Sequence, residues 1–164
     1  QYFYSVPDIQ SANLSGRTEG DSPANVSFEQ LVLVDLNEQP RHLGDWQSPL
    51  MLVNFWAPWC APCRREIPDL MEIQRHYQDR LQIVGLSFDS QERVIAFNEQ
   101  YSINYPLVLV QHEAGMINRY FGNSSGALPF TALLNQQRQI IFQHHGEINK
   151  ADLEKQIMNA LETL

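Results

Sequence analysis

The feature that most constrains the fold is an apolar run that leads into the only two cysteines of the chain. The run, "PLMLVNFWA", begins at Pro49, and "PWCAPC" follows it with Cys60 and Cys63. Because a strand with one solvated face alternates apolar and polar residues, an unbroken apolar run predicts a strand buried on both faces. The next residues, from Ala61 to about Tyr77, carry their apolar side chains on one helical stripe. A buried strand that leads directly into a helix predicts an α/β layered domain.

The rest of the chain continues this alternation of strands and helices. Apolar or alternating runs predict further strands over 28–36, 41–43, 81–89 and 105–111, from 129 onward, and within 136–146. Helices are predicted over 90–101, 113–121 and 149–164, with Ser90 and Asn149 at their N-terminal ends. Pro68 is expected to kink the first helix, because its nitrogen cannot donate a hydrogen bond. Residues 1–25 are polar and aperiodic, which predicts an arm or linker before one domain over 26–164.

The composition and the first residue of the chain limit the kinds of partner and the cellular location that can be expected. The chain has 11 Lys and Arg against 19 Asp and Glu, a net charge of −8, and no basic cluster exceeds Arg64-Arg65. No nucleic-acid partner is therefore expected. The longest apolar runs are too short to span a bilayer. The chain begins at Gln1 rather than Met, which favours a mature or truncated form whose targeting segment has been removed.

The spacing of the two cysteines favours a reversible redox pair. Cys60 directly follows the predicted strand and opens the predicted helix, where unpaired backbone N–H groups and the helix dipole stabilise a thiolate. Such cysteines have pKa values of ~7 or below, against ~8.5 for a free thiol. Cys63 lies one turn further along and is close enough to attack a mixed disulfide at Cys60. Pro62 fits the first helical turn, where a missing N–H donor costs nothing.

Four alternatives stay open on the residues alone. A structural zinc site needs four ligands, and the five histidines show no metal-binding spacing relative to the cysteines. A structural disulfide over so short a loop would constrain the unfolded chain little. A thiol peroxidase is a further alternative, although Ala57 stands where peroxiredoxins have Thr, three residues before the cysteine. A non-catalytic module that binds a partner through the same fold is the fourth.

The segment "LVNFWAPWCAPCRREIPDL" resembles the active-site segment of the TlpA/ResA group of thiol–disulfide oxidoreductases. The resemblance runs from Phe28 to Leu164 and includes "GLSFDS", Pro68 after the dithiol and Pro129 at the start of a late strand. It implies a thioredoxin-like fold, with a central mixed β-sheet flanked by helices, an N-terminal β extension and a central insertion. It also implies that Pro129 is a cis proline that faces the dithiol and that the Leu128 backbone is free to pair with a substrate strand.

The resemblance also implies roles for residues around the dithiol. Glu66 matches an acidic position near the dithiol in ResA-type members, where a carboxylate opposes thiolate formation and exchanges a proton, and a solvated surface Glu is the alternative. Asn54 departs from the buried Asp of classical thioredoxins and cannot accept a proton in the same way. Trp59 shields Cys60, and an exposed apolar rim of Trp59, Leu128 and Phe130 would hold the substrate backbone. Trp56 is expected in the core.

The same resemblance implies a place in redox metabolism. It indicates a reductase of disulfide-containing proteins in the periplasm, soluble or tethered by an N-terminal anchor, and fed with electrons by a DsbD-type membrane donor. It implies no cofactor beyond the redox-active disulfide Cys60–Cys63. Members of the CcmG type, which serve cytochrome c maturation, often carry an acidic residue after the cis proline. Phe130 stands there in this chain, which weakens an assignment to that pathway.

Overall fold

The computed structural model describes residues 27–28, 31–112 and 114–164. The predicted arm over 1–25 lies outside the described residues, so that domain boundary stays a prediction. The strands found are β1 (Val32–Asp35), β2 (Pro40–His42), β3 (Leu50–Trp56), β4 (Leu81–Ser87), β5 (Leu107–Leu109), β6 (Phe130–Leu134) and β7 (Ile140–His145). The α-helices are α1 (Ala61–Tyr77), α2 (Gln91–Tyr101), α3 (Ala114–Phe121) and α4 (Lys150–Glu162).

The strands form one mixed sheet in the order β2-β1-β5-β4-β3-β6-β7. The three strands β3, β4 and β5 run parallel, and all the other neighbours pair antiparallel. The β1–β2 hairpin is the predicted N-terminal extension, and α2, β5 and α3 fill the region between β4 and the strand after Pro129. The predicted α/β architecture with a central mixed sheet is therefore confirmed.

Strand β3 is buried on both faces, as its largely apolar run predicts. All seven of its residues are buried. Leu52 and Trp56 pack with the buried faces of α1, α2 and α4, whereas Val53 and Phe55 pack with α3 on the opposite face. This division follows from the alternation of side chains along a strand. Two apolar cores therefore hold β3 and the chain that follows it.

The helix ends have local causes that the sequence displays. Helix α1 has the predicted bounds, and Pro68 lies within it; the kink expected there stays a prediction. Ser90 and Asn149 cap α2 and α4, because each side chain accepts a hydrogen bond from a first-turn backbone N–H. The sequence predicts Ser90 as the cap of α2 and places Asn149 at the N-terminal end of α4.

The first strand is shorter than predicted. The strand observed is Val32–Asp35 within the predicted 28–36. It ends at Asp35 because Asp35 Oδ1 accepts hydrogen bonds from the backbone N–H groups of Asn37 and Gln39. Such a side-chain bond to the following backbone starts a turn and ends the ladder. The second strand stops at His42, since Leu43 begins a short 3-10 helix.

Sheet register brings the start of β6 to the end of β3. The two strands are antiparallel, and Phe130 lies opposite Phe55. Residues just before Phe130 therefore lie at the same sheet edge as the chain that leaves β3 towards Cys60. The fold thus brings Pro129 and the dithiol segment, which are distant in sequence, to one edge.

Candidate active site

Cys60 is the N-cap residue of α1. A disulfide joins it to Cys63, and their Cα atoms are 5.2 Å apart. The backbone of Cys60 is extended, so the chain turns into the helix directly after it. The backbone N–H of Cys63 donates to Cys60 Sγ at 3.3 Å. The Cys60 sulfur thus occupies the place of a capping oxygen, where helix N–H groups and the helix dipole favour negative charge.

The two sulfurs differ in accessibility. The Cys60 residue is 4% exposed, whereas Cys63 is fully buried. Trp59 is 66% exposed, so its indole offers apolar surface directly beside Cys60. Trp56 is 1% exposed and lies in the core against Phe97, with ring centroids 5.1 Å apart, as predicted. Cys60 is therefore the more accessible of the two cysteines.

Glu66 is a buried carboxylate on α1, three residues after Cys63, with 3% of its surface exposed. The backbone N–H of Ile148 donates to its Oε1 at 2.8 Å, and Asn54 Nδ2 donates to its Oε2 at 3.4 Å. Burial raises the pKa of Glu66 to about 7, although both hydrogen bonds lower it; the charges of Glu147 and Asp69 raise it further. A carboxyl with this pKa can accept or release a proton near neutral pH.

An ion pair connects the Glu66 region of α1 to the chain before α4. Arg65 donates to both carboxylate oxygens of Glu147, with the shortest contact, from Nη2 to Oε2, at 2.8 Å. Both side chains are substantially exposed, so the pair contributes little to stability. Its effect is geometric, because Glu147 directly precedes Ile148, whose N–H reaches Glu66.

The chain before β6 presents a short backbone segment at the same edge. The Leu128–Pro129 bond is cis, which confirms that expectation. The carbonyl oxygen of Pro129 accepts a hydrogen bond from Gly146 N–H at 2.8 Å. Among the residues that the structure describes, none pairs with the backbone N–H or C=O of Leu128. Leu128 is half-buried and contacts the core that contains both cysteines.

The predicted exposed rim is wrong for Phe130, whose side chain is fully buried. Its ring packs on Phe55 at 5.1 Å and on His145 at 4.9 Å, measured between centroids. The physical reason is the position of β6 between β3 and β7, with both sheet faces covered. Phe130 therefore belongs to the core and offers no surface to a substrate.

The sequence profile of the AhpC/TSA family matches residues 25–150 of this chain. The chain belongs to the AhpC/TSA family. Among curated relatives, it is 31% identical over 129 residues to the thioredoxin-like protein YneN of Bacillus subtilis, covering 76% of this chain and 73% of YneN. It is 30% identical over 125 residues to the thiol-disulfide oxidoreductase ResA of Bacillus cereus, covering 75% of this chain and 70% of ResA.

A solved structure of a thioredoxin-related protein from Neisseria meningitidis serogroup B superposes on this AhpC/TSA family member with a TM-score of 0.72. The two are 25% identical, and the match covers 79% of this chain and 98% of the Neisseria chain. The fold is thus thioredoxin-like, and the predicted resemblance to ResA-type proteins is confirmed. With its Cys-x-x-Cys pair and these relatives, the protein is a thiol–disulfide oxidoreductase that contains a Cys60–Cys63 disulfide.

The sequence did not predict the hydrogen-bond partners of Glu66. Asn54 appears in the sequence only as a departure from an expected Asp, yet its amide donates to Glu66 and to Thr131 Oγ1, the latter at 3.4 Å. One signal was available, since Asn54 is the polar residue in the apolar run of β3. Nothing local pointed to Ile148, which is 82 positions from Glu66.

Proposed function

We propose that this oxidoreductase reduces disulfide bonds of protein substrates by dithiol exchange. The Cys60 thiolate attacks one sulfur of the substrate disulfide, forms a mixed disulfide and expels the other substrate sulfur as a thiolate. Cys63, as a thiolate, then attacks the Cys60 sulfur and expels the second substrate sulfur. Two electrons pass to the substrate, and the protein is left with the Cys60–Cys63 disulfide.

The position of Cys60 carries this proposal. Its sulfur caps α1 and accepts a hydrogen bond from Cys63 N–H, an environment that lowers a thiol pKa and populates the attacking thiolate. Cys63 is fully buried, so it is shielded from substrate but lies within bonding distance of Cys60. This asymmetry favours one attacking and one resolving cysteine over a structural staple.

Glu66 is proposed to accept the thiol proton of Cys63. The resolving attack needs Cys63 as a thiolate, and a buried thiol resists ionisation. A carboxylate one helical turn away, with a pKa of about 7, is suited to accept that proton at neutral pH. Its partners Asn54 and Ile148 hold both carboxylate oxygens in place.

The segment at Leu128 and Pro129 is proposed to hold the substrate backbone. The unpaired N–H and C=O of Leu128 resemble an open strand edge, which an extended peptide can join by main-chain hydrogen bonds. Trp59, which is largely exposed and adjacent to Cys60 in sequence, would add apolar contact. Phe130 acts only as the buried support of this segment.

We further propose that the protein works in the periplasm, soluble or tethered through an N-terminal anchor, and receives electrons from a DsbD-type membrane donor. The family resemblance supports this assignment. The chain has no cysteine outside the pair, which suits an oxidising compartment where extra thiols cause side reactions. Over the described residues, no helix combines the length and the apolar character needed to cross a bilayer.

Serine variants of the two cysteines test the exchange mechanism. With the reduced protein and a protein disulfide, the Cys63→Ser variant should accumulate a mixed disulfide through Cys60, visible by non-reducing electrophoresis and mass spectrometry. The Cys60→Ser variant should neither reduce the substrate nor trap it. Capture of substrate by Cys63→Ser without a covalent bond would instead indicate a binding module. Cys60-dependent consumption of hydroperoxide that is faster than reduction of the protein disulfide would indicate a peroxidase.

The direction of exchange is tested by the reduction potential of the dithiol. Equilibration of the wild-type protein in glutathione or dithiothreitol buffers gives this potential. A value near that of thioredoxin, about −270 mV, is expected for a reductase. A value near that of DsbA, about −120 mV, would reverse the proposed direction.

A further inference from the structure

The loop before Pro129 contains a buried polar side chain that dithiol exchange does not use. Asn123 is fully buried, and its Nδ2 donates to Ala127 O at 3.0 Å and to Asn118 Oδ1 at 3.2 Å. Its Oδ1 is buried and has no hydrogen-bond partner within the described part of the chain. An unpaired buried acceptor costs stability, so the two hydrogen bonds that the amide donates are gained at that cost.

The orientation of this amide is determined by its surroundings. If the oxygen and nitrogen of Asn123 exchanged places, the Oδ1 would face the carbonyl oxygen of Ala127, and two acceptors would meet without a hydrogen. The backbone around it is fixed as well, because Asn123 N–H donates to Asn118 O at 2.7 Å and Gly126 N–H donates to Asn123 O at 2.9 Å. The side chain that donates to Ala127 O is therefore attached to a backbone that hydrogen bonds hold in place.

The hydrogen bond to Ala127 sets the direction of the Leu128 N–H. The carbonyl of Ala127 and the N–H of Leu128 belong to one planar peptide group, so fixing the first orients the second. Beyond Leu128, the Pro129 carbonyl is held by Gly146 N–H at 2.8 Å. The unpaired polar groups of Leu128 thus lie between two anchored points of the backbone.

We infer that Asn123 is a positioning residue for substrate docking, because its amide holds Leu128 N–H in the orientation that receives a carbonyl oxygen from an extended substrate backbone. This inference rests on the proposed function and adds the residue that positions the docking segment. The preferred substrates are disulfides within extended peptide segments, whose main chain can use this N–H. Small disulfides without a peptide backbone gain nothing from it.

Two substrates separate this role from a general structural one. Reduced protein is mixed in single-turnover experiments with a peptide that holds an internal disulfide, or with bis(2-hydroxyethyl) disulfide. Asn123→Leu keeps the approximate size of the side chain but has no N–H or O–H to donate to Ala127 O. The second-order rate constant for the peptide should fall about tenfold, equivalent to ~1.4 kcal/mol, mainly through weaker peptide binding. The rate constant for the small disulfide should stay within twofold of wild type.

A second variant and a control keep the test independent of one substitution. Gly146 has φ +87°, so Gly146→Ala strains the backbone that anchors Pro129 O and should cause the same selective loss. Asn98→Ala is the control, since Asn98 Oδ1 also holds a backbone N–H, that of Ile103, at a helix end away from this loop. It should lower the melting temperature without changing the ratio of the two rate constants.

The outcomes distinguish this inference from the proposed function. If wild type reduces both disulfides through Cys60 but Asn123→Leu and Gly146→Ala slow both substrates equally, or neither, the inference is wrong and the exchange mechanism stands. If wild type reduces neither disulfide, the proposed function itself fails. Selective loss with the peptide in both variants, with the control unchanged, supports the positioning role.

Discussion

Glu66 and Asn54 set the electrostatics beneath the dithiol. Glu66 carries a carboxylate into the core one turn beyond Cys63, where burial raises its pKa to about 7. Asn54 offers two amide hydrogens, one to Glu66 and one to Thr131. A second carboxylate at position 54 would face Glu66 directly and raise its pKa further by like-charge repulsion. The amide instead donates a hydrogen bond to Glu66 without adding a second charge.

The titration of Glu66 predicts a pH dependence of stability. Its pKa is raised on folding from its ordinary 4.5 to about 7, so between these values the folded state binds more protons than the unfolded state. Stability from protonated Glu66 is therefore complete below pH 4.5 and is lost as pH rises through about 7. Across this window, oxidised wild type should lose about 3 kcal/mol relative to Glu66→Gln.

Urea unfolding of both oxidised proteins at several pH values measures this difference. The oxidised form is used because its cysteines do not titrate, and Glu66→Gln is itself the control for every other ionisable group. The two stabilities should converge at pH 4.5 and diverge by pH 7.5, with the variant favoured. Parallel curves over this range would show that Glu66 titrates as it does in the unfolded chain.

At the scale of elements, the close packing of β4 beside β3 depends on a glycine. Gly85 lies opposite Asn54 in the parallel β3–β4 pair. A Cβ there would lie 2.8 Å from Leu107 Cδ2 and 3.1 Å from both Trp56 Nε1 and Tyr105 Cε2. The absence of a side chain lets Trp56 and Tyr105 approach the sheet in the core that also contains the dithiol.

Gly85→Ala should therefore destabilise the protein by about 1–3 kcal/mol, as overpacking of a rigid core does. Gly44→Ala is the matched control, because a Cβ at Gly44 meets nothing within 4 Å, and it should change stability by about 0.5 kcal/mol or less. Thermal unfolding of the two oxidised variants tests this contrast. Equal stabilities would mean that the sheet accommodates the methyl group by moving.

For the whole molecule, features that depend on neighbouring residues were predicted from the sequence, whereas contacts between distant residues were not. The bounds of α1 and the caps of α2 and α4 follow from patterns within a few residues, and the structure has them where the sequence predicts them. The contact of Glu66 with Ile148 joins residues 82 positions apart, which no local pattern reveals. Phe130 was predicted on the surface because its burial depends on strand order, which places β6 inside the sheet.

The central claim concerns the sulfur of Cys60 at the amino end of α1. In the Cys63→Ser variant this is the only thiol, so its rate of alkylation by iodoacetamide over a pH series gives its pKa directly. We expect a pKa clearly below the ~8.5 of a free thiol, near ~7 or lower, and a return to ~8.5 when the same variant is unfolded in urea. A folded-state pKa equal to the unfolded value would contradict the central claim.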